Sequence, residues 1–402
     1  RRHVRKEWQG LKALWERDLT SLKPLFYGPT EDGRWAVVVE KIVDAEPAMD
    51  VFRNASGKSE RLALLRRIAG ELAKYHDRGV LQQDMHLGNF LLRGERVFLL
   101  DAAQMKFRSR PISRAEGIAQ AALLSVILTD VDAGDIRELC RSYLDARGCA
   151  PSPVDEARMA SLRSRYRSVA VERGLKKTLR TSKRYQRVAG KTVRGVYEKA
   201  FFGNADLRPL FDRLETLTGA GEDAGSGKAR AASILTWHGK KLVVQRYRER
   251  GLIPAIRRTL TASHAKRGWL NGYRLIMLGI GTPRPVCYVE FHRGCFVRES
   301  FLITECIEGK TLAETLQDRG LTAGRRETLL QHVWRQVHRL HEHRIVHGDL
   351  KQGHILISAQ GPLLTDLDRM TVCAWDCLFK AWRDRDLQRL NLDGPGEETD
   401  RV

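Results

Sequence analysis

The chain has 402 residues, with 70 lysines and arginines against 49 aspartates and glutamates, a formal net charge of +21, and 42% hydrophobic residues. Such a length and apolar content suit a soluble globular protein of two or three domains with filled cores. The cationic surplus predicts attraction to polyanions such as nucleic acid, anionic lipid or phosphorylated sugar, without choosing among them.

Seven cysteines, odd in number and scattered, leave only Cys373 and Cys377 close together, which excludes a four-cysteine zinc site and predicts reduced thiols. No run approaches the roughly 18 apolar residues of a spanning helix, and no signal peptide is visible. The expected location is the cytoplasm. The first residue is Arg1 rather than Met, so an upstream segment is expected.

In chain order, residues 3–19 place Val4, Trp8, Leu11, Leu14 and Trp15 at helical spacing, with Glu7 among basic neighbours. Turn signals at Gly28-Pro29 and Asp32-Gly33 precede a short strand, Trp35 to Val39, that ends at Glu40-Lys41-Ile42. Residues 59–78 are helical, and the loop around Asp84 follows. Residues 113–148 and 153–173 also read as helices, with Ala119, Leu123, Val126 and Ile127 on a buried face. From Arg173 to Tyr197 there is no acidic residue, and alternation around Gly190 predicts a hairpin. This basic stretch reads as a solvated face or as a surface for anionic lipid or phosphosugar. Nucleic acid is disfavoured, since no stacking platform or recognition helix accompanies it.

Beyond it, 219–228 is a glycine-rich turn without the P-loop register, because Lys228 is followed by Ala229. Strands are predicted over 232–237 and 241–247, then a basic stretch through Arg246, Arg248, Arg250, Arg257, Arg258, Lys266 and Arg267, and a helix containing Trp269. A strand Phe301 to Thr304 runs into Glu305-Cys306-Ile307, residues 324–343 are helical, and the end leaves room for one or two helices before a polar tail from Asp393. The histidines at 332–347 do not form a zinc motif, since His341-Glu342 would need a histidine where Ile345 stands.

The most informative feature is a repeated layout. His347-Gly348-Asp349-Leu350-Lys351-Gln352-Gly353-His354 is followed by an apolar strand and Asp366; Gln82-Gln83-Asp84-Met85-His86-Leu87-Gly88-Asn89 is followed by another strand and Asp101. The aspartates are 17 apart in both (366 − 349 and 101 − 84), and the copies are 265 apart (349 − 84), as are Glu40 and Glu305, and His76 and His341. Phosphoryl transfer needs positioned charge: a carboxylate at the attacking hydroxyl, cations on the phosphates and oxygen ligands for Mg²⁺. The layout supplies Asp84 and Asp349 for the hydroxyl, Lys351 for the transferring group, Asn89 and His354 as metal ligands, and Asp101 and Asp366 to join Mg²⁺ to nucleotide.

These loops resemble the protein kinase-like superfamily, whose pattern is His-x-Asp-x-x-x-x-Asn with a later Asp. The second copy more narrowly resembles the lipopolysaccharide core kinases, the Kdo and heptose kinase family, through His347 to Ile357, Thr365 to Arg369, Leu242 to Tyr247 and Gly279 to Pro283. The resemblance implies an α+β fold of two tandem bilobal kinase-like domains: 1–212, with an incomplete N-lobe remnant over 1–42 and a helical C-lobe over 43–212, and 213–402, with an N-lobe over 213–308 and a short C-lobe over 309–402. It implies ATP at hinge segments holding Glu40 and Ile42, and Glu305 and Ile307, with Mg²⁺, and a sugar hydroxyl of the lipopolysaccharide core or another anionic glycolipid as acceptor. A peripheral position on the inner face of the inner membrane and contact with other core-assembly enzymes follow.

The family pairs a strand lysine with a helix glutamate around the phosphates. In the second copy these positions hold Gln245 and Gly268, while in the first Glu7 fills the helix position and the lysine strand would precede Arg1. Losing one such charge costs about 10²–10³ in rate. The sequence therefore places catalysis in the first copy and makes the second a degenerate, pseudokinase-like module. The rivals are a double pseudokinase scaffold and a kinase for another small molecule or protein.

Overall fold

In a computed structural model, residues 2–129, 131–203, 207–219, 230–248, 262–294 and 296–392 are described. The glycine-rich stretch 220–228, Arg250, Arg257, Arg258 and the tail Asp393 to Val402 lie outside the described residues. The chain divides between Ala170 and Val171, inside the helix Pro153–Thr178. This differs from the division expected at 212. The reason is the basic hairpin, whose strands Tyr185–Ala189 and Val193–Glu198 extend a sheet of the second unit: Tyr197 faces Cys287 and Gly195 faces Val289. A side chain at Gly195 would run into the carbonyl of Tyr288, so glycine permits that pairing.

In the first unit the helix Arg2–Trp15 buries Leu11 and Leu14. The ladder of Pro24–Pro29 with Trp35–Val39 is antiparallel. The helix Lys58–Asp77 buries Leu64, Leu65, Ile68, Leu72 and Tyr75, the face that its 3.6-residue period predicts. It stops at Gly79, whose φ of 73° is left-handed. Residues 113–148 form two helices, Arg114–Leu124 and Ala133–Ala146, the second opened by an Asp132/Asp135 capping box. Because the first ends at Leu124, its buried apolar side chains are Ile118, Ala121, Ala122 and Leu124; of the expected face Val126 is buried, while Ile127 is 49% exposed.

The second unit is built on a six-stranded sheet in which every neighbouring pair is antiparallel, in the order Arg230–Trp237, Lys240–Arg248, Phe296–Glu305, Pro285–Arg293, Val193–Glu198, Tyr185–Ala189. The turn His238-Gly239 puts both residues at positive φ, which joins the first two strands tightly. The strand Pro285–Arg293 was not foreseen; its run from Pro285 to Val289 is wholly buried, so it carries no alternation to read. The helix His264–Leu278 is capped by the Ser263 hydroxyl, which accepts from Lys266 N, and ends at left-handed Gly279. Its buried Trp269 and Tyr273 belong to the core with Tyr185, Tyr288 and Leu302. Below follow the helix Ala323–Glu342, the ladders Ile345–Val346 with Thr371–Val372 and Ile355–Ser358 with Gly361–Leu364, and one last helix, Asp376–Leu390. The six described cysteines are all free, and among the described residues no helix is long and apolar enough to cross a membrane.

Candidate functional site

The two loops close through matching hydrogen bonds. Asn89 Nδ2 donates to Asp84 O at 2.7 Å, and His354 Nδ1 to Asp349 O at 2.8 Å. Leu100 N donates to Asn89 O at 2.7 Å, and Thr365 N to His354 O at 2.9 Å. Gln82 Nε2 reaches Leu100 O at 3.0 Å and His347 Nε2 reaches Thr365 O at 2.8 Å, so Gln82 does the work of the missing histidine. Asp101 and Asp366 both sit left-handed, at φ 58° and 68°, each leading into a 3₁₀ turn. Such a backbone is held only where the surroundings over-determine it, and it marks these turns as functional candidates.

The surroundings differ. Asp349 is 16% exposed, with Lys351 Nζ at 2.9 Å and Arg389 Nη1 at 3.3 Å from Oδ1. Burial pushes its carboxyl up, but the hydrogen bond and charge of Lys351, with His354 and Arg369, outweigh it and hold the group below the usual carboxylate range. The loop backbone rests on Asp386, 1% exposed, which accepts from His347 N at 2.6 Å and Gly348 N at 3.1 Å. Asp84 is 63% exposed, with His86 Nε2 at 3.5 Å. Gln83 N goes to Gln104 O at 3.0 Å instead.

At the second aspartates the helices take over. Glu7 accepts from Ala102 N at 3.3 Å and Ala103 N at 2.6 Å, so its carboxylate holds the turn after Asp101. Gly10 lets the helix approach, since a Cβ there would lie 2.5 Å from Ala102 O. In the second unit Asn271 Nδ2 donates to Leu367 O and Met370 O at 2.8 and 2.9 Å, and His264 Nδ1 lies 2.7 Å from Asp368 Oδ2. Gly268 backs onto buried Leu302, whose Cδ2 a Cβ would meet at 2.6 Å, so a glutamate there would have to displace core. Gln245 Nε2 donates to Asp366 Oδ1 at 3.0 Å, and His354 Nε2 lies 3.1 Å from Asp366 Oδ2.

The hinge candidates end their strands as expected. Glu305 closes the strand Phe296–Glu305, its amide donating to Arg284 O at 3.0 Å and its carboxylate 3.2 Å from Arg284 Nη2. Glu40 follows Trp35–Val39 with its amide on Lys23 O at 2.9 Å. Ile42 and Ile307 are half-buried. A cavity of about 650 Å³ lies elsewhere, between the helix Ala323–Glu342 and the turn 358–362, and none of the predicted residues lines it. Sequence reasoning missed Asp386, Arg389, His264 and Asn271. The contacts that tie them to the Asp349 loop and the turn after Asp366 are 36 to 104 residues away in the chain, so no local pattern signals them.

Among the described residues no group of three or more His, Cys, Asp or Glu is set to hold a metal. Asp366, His354, Asp101 and Asn89 carry donor atoms of the kind that could hold an ion whose other positions go to water and substrate oxygens. A comparison with curated proteins found no match. Residues 218–394, the stretch holding Gln245, the Asp349 loop and Asp366, match the model of the lipopolysaccharide kinase (Kdo/WaaP) family.

Proposed function

We propose that the protein transfers a phosphoryl group from ATP to a hydroxyl of a lipopolysaccharide core sugar, and that the second unit carries the reaction. The observation behind this is the seat of Asp349, a carboxylate kept ionised beside Lys351 and Arg389 on a loop anchored by Asp386, within the stretch that matches the kinase family. The acceptor oxygen attacks the terminal phosphorus, its proton passes to Asp349, and the bond to the departing ADP breaks. Lys351 neutralises charge on the transferring group. Asp366 and His354 would hold a divalent ion, which would supply positive charge to the nucleotide phosphates. The exposed Arg173, Lys176, Lys177, Arg180, Lys183, Arg187, Lys191 and Arg194 suit an anionic glycolipid at a membrane surface.

Catalysis in the first loop, favoured from the sequence, is the second reading; Asn89, a harder ligand than His354, supports it. Core phosphate measured by mass spectrometry in cells carrying Asp349→Ala or Asp84→Ala separates the two. Loss with Asp349→Ala alone is expected. Loss with Asp84→Ala alone would move the chemistry to the first unit, and full phosphate with both would end the enzymatic reading in favour of a scaffold.

A further inference from the structure

The two units differ at one place away from the loops. In the first, Arg67 of the helix Lys58–Asp77 reaches the turn between the strands Phe90–Arg93 and Arg96–Leu99: its guanidinium donates to the Gly94 carbonyl and lies 3.5 Å from the Glu95 carboxylate. In the second, the helix Ala323–Glu342 and the strands Ile355–Ser358 and Gly361–Leu364 are the same elements 265 residues on (323 − 58, 355 − 90 and 361 − 96). There the matching place is the cavity of about 650 Å³. His332 stands where Arg67 does and Gln360 where Glu95 does, while Arg325 and Arg335 take the places of Glu60 and Gly70. The bridge is lost, its carboxylate is lost, and two arginines are added.

At about 100° per residue, positions 325, 332 and 335 share one face of the helix, and all three line the cavity. No acidic residue lines it, and among the described residues Arg325, His332 and Arg335 meet no carboxylate. A concave wall carrying one sign of charge concentrates the opposite ion. We propose that this cavity is a binding site for a sugar phosphate, its phosphate taken by Arg325, His332 and Arg335 and its ring lying on Leu329 and Ile357. Guanidinium groups match phosphate oxygens with paired N–H donors. A bare phosphate would leave most of the space empty, whereas pockets of about 300–1,000 Å³ take whole small molecules. Gln336 accepts from Gly281 N at 3.2 Å through Oε1, which leaves its amide nitrogen as a donor for a sugar hydroxyl. The site stands apart from phosphoryl transfer: it lies at the turn end of the hairpin, and His354 and Thr365 follow from the other end, where Ile355 pairs with Leu364.

The test uses the full chain and titration calorimetry with glucose 6-phosphate, glucose and inorganic phosphate, and with phosphatidylcholine vesicles carrying phosphatidic acid. Glucose 6-phosphate is expected to bind, and Arg325→Gln or Arg335→Gln to weaken it by about tenfold or more, the loss of one charge-assisted contact. Gln360→Glu, which brings in the carboxylate of Glu95, is expected to weaken it as well. These three positions are exposed, and an unchanged melting temperature checks that each variant folds. Asp349→Ala is expected to keep the affinity, so binding without transfer separates this site from the kinase reading. Equal affinity in the parent and in the Arg325→Gln/Arg335→Gln double variant, or loss of binding in a folded Asp349→Ala chain, overturns the proposal. So does inorganic phosphate binding as tightly as glucose 6-phosphate, which would leave a plain anion site, or binding to the vesicles alone, which would leave a lipid headgroup.

Discussion

The loops around Asp84 and Asp349 share a backbone and differ in what surrounds it. Both close through the residue five after the first aspartate and both turn left-handed at the second. Yet Asp84 is mostly in solvent beside one histidine, while Asp349 is mostly buried between Lys351 and Arg389. Hydrogen bonds within about twenty residues give both loops the same closure. What lies around each closure differs, with Asp386 and Arg389 of the last helix added to the second loop, so one closure can host two chemical environments.

That contrast can be broken at its anchor. Asp386→Ala leaves buried amides of His347 and Gly348 without their acceptor, a loss of about 3 kcal/mol or more. Hydrogen exchange should show residues 345–350 losing protection while 80–85 keep theirs; equal loss in both loops would mean that they are not independently supported.

A second test uses the matched histidines before each loop. Burial pushes His76 down to about 3 and His341 down to about 4. A histidine held neutral in the fold is protonated first in the unfolded chain, so its contribution is complete above about pH 6.5 and falls with pH until the folded value is passed. Each should remove up to about 1.4 kcal/mol per pH unit, from about 6.5 to about 3 for the first unit and to about 4 for the second. His76→Gln should flatten only the first unit's pH profile, measured by site-resolved exchange; no change in slope would show that His76 is not the group lost to acid.

The smallest effect concerns Gln245. Gln245→Lys restores one charge beside Asp366, but Gly268 has no room for a partner glutamate. We expect nucleotide affinity to rise by about tenfold, short of the 10²–10³ of a full preorganised contact. A gain as large as the full contact would show that the helix contributes nothing here.

Local pattern carried much of this fold. The period of Leu64 to Tyr75, the turn at Gly190 and the spacing of the two aspartates are each properties of short stretches, and each reappears in three dimensions. What escaped depends on partners far along the chain. Tyr185 to Glu198 reads by charge as the end of the first half, and only its pairing with Pro285–Arg293 places it in the second. The amides that Glu7 holds lie about 95 residues on, and no local pattern announces them. Asp386 sits in a helix of mostly polar residues, with nothing local to set it apart from Asp384.

The edge hairpin also carries a consequence for ionic strength. Glu198 is 1% exposed and meets Arg184 Nε at 2.6 Å and Arg284 Nε at 3.1 Å, and Arg284 continues to Glu305 at the end of the central strand. Salt screens exposed charges within about 8–10 Å and reaches buried ones far less. Raising salt should therefore strip the outer face of this hairpin of its pull on anions while its inner carboxylate keeps the strand end clamped. One short piece of chain thus has a salt-sensitive side and a salt-resistant one.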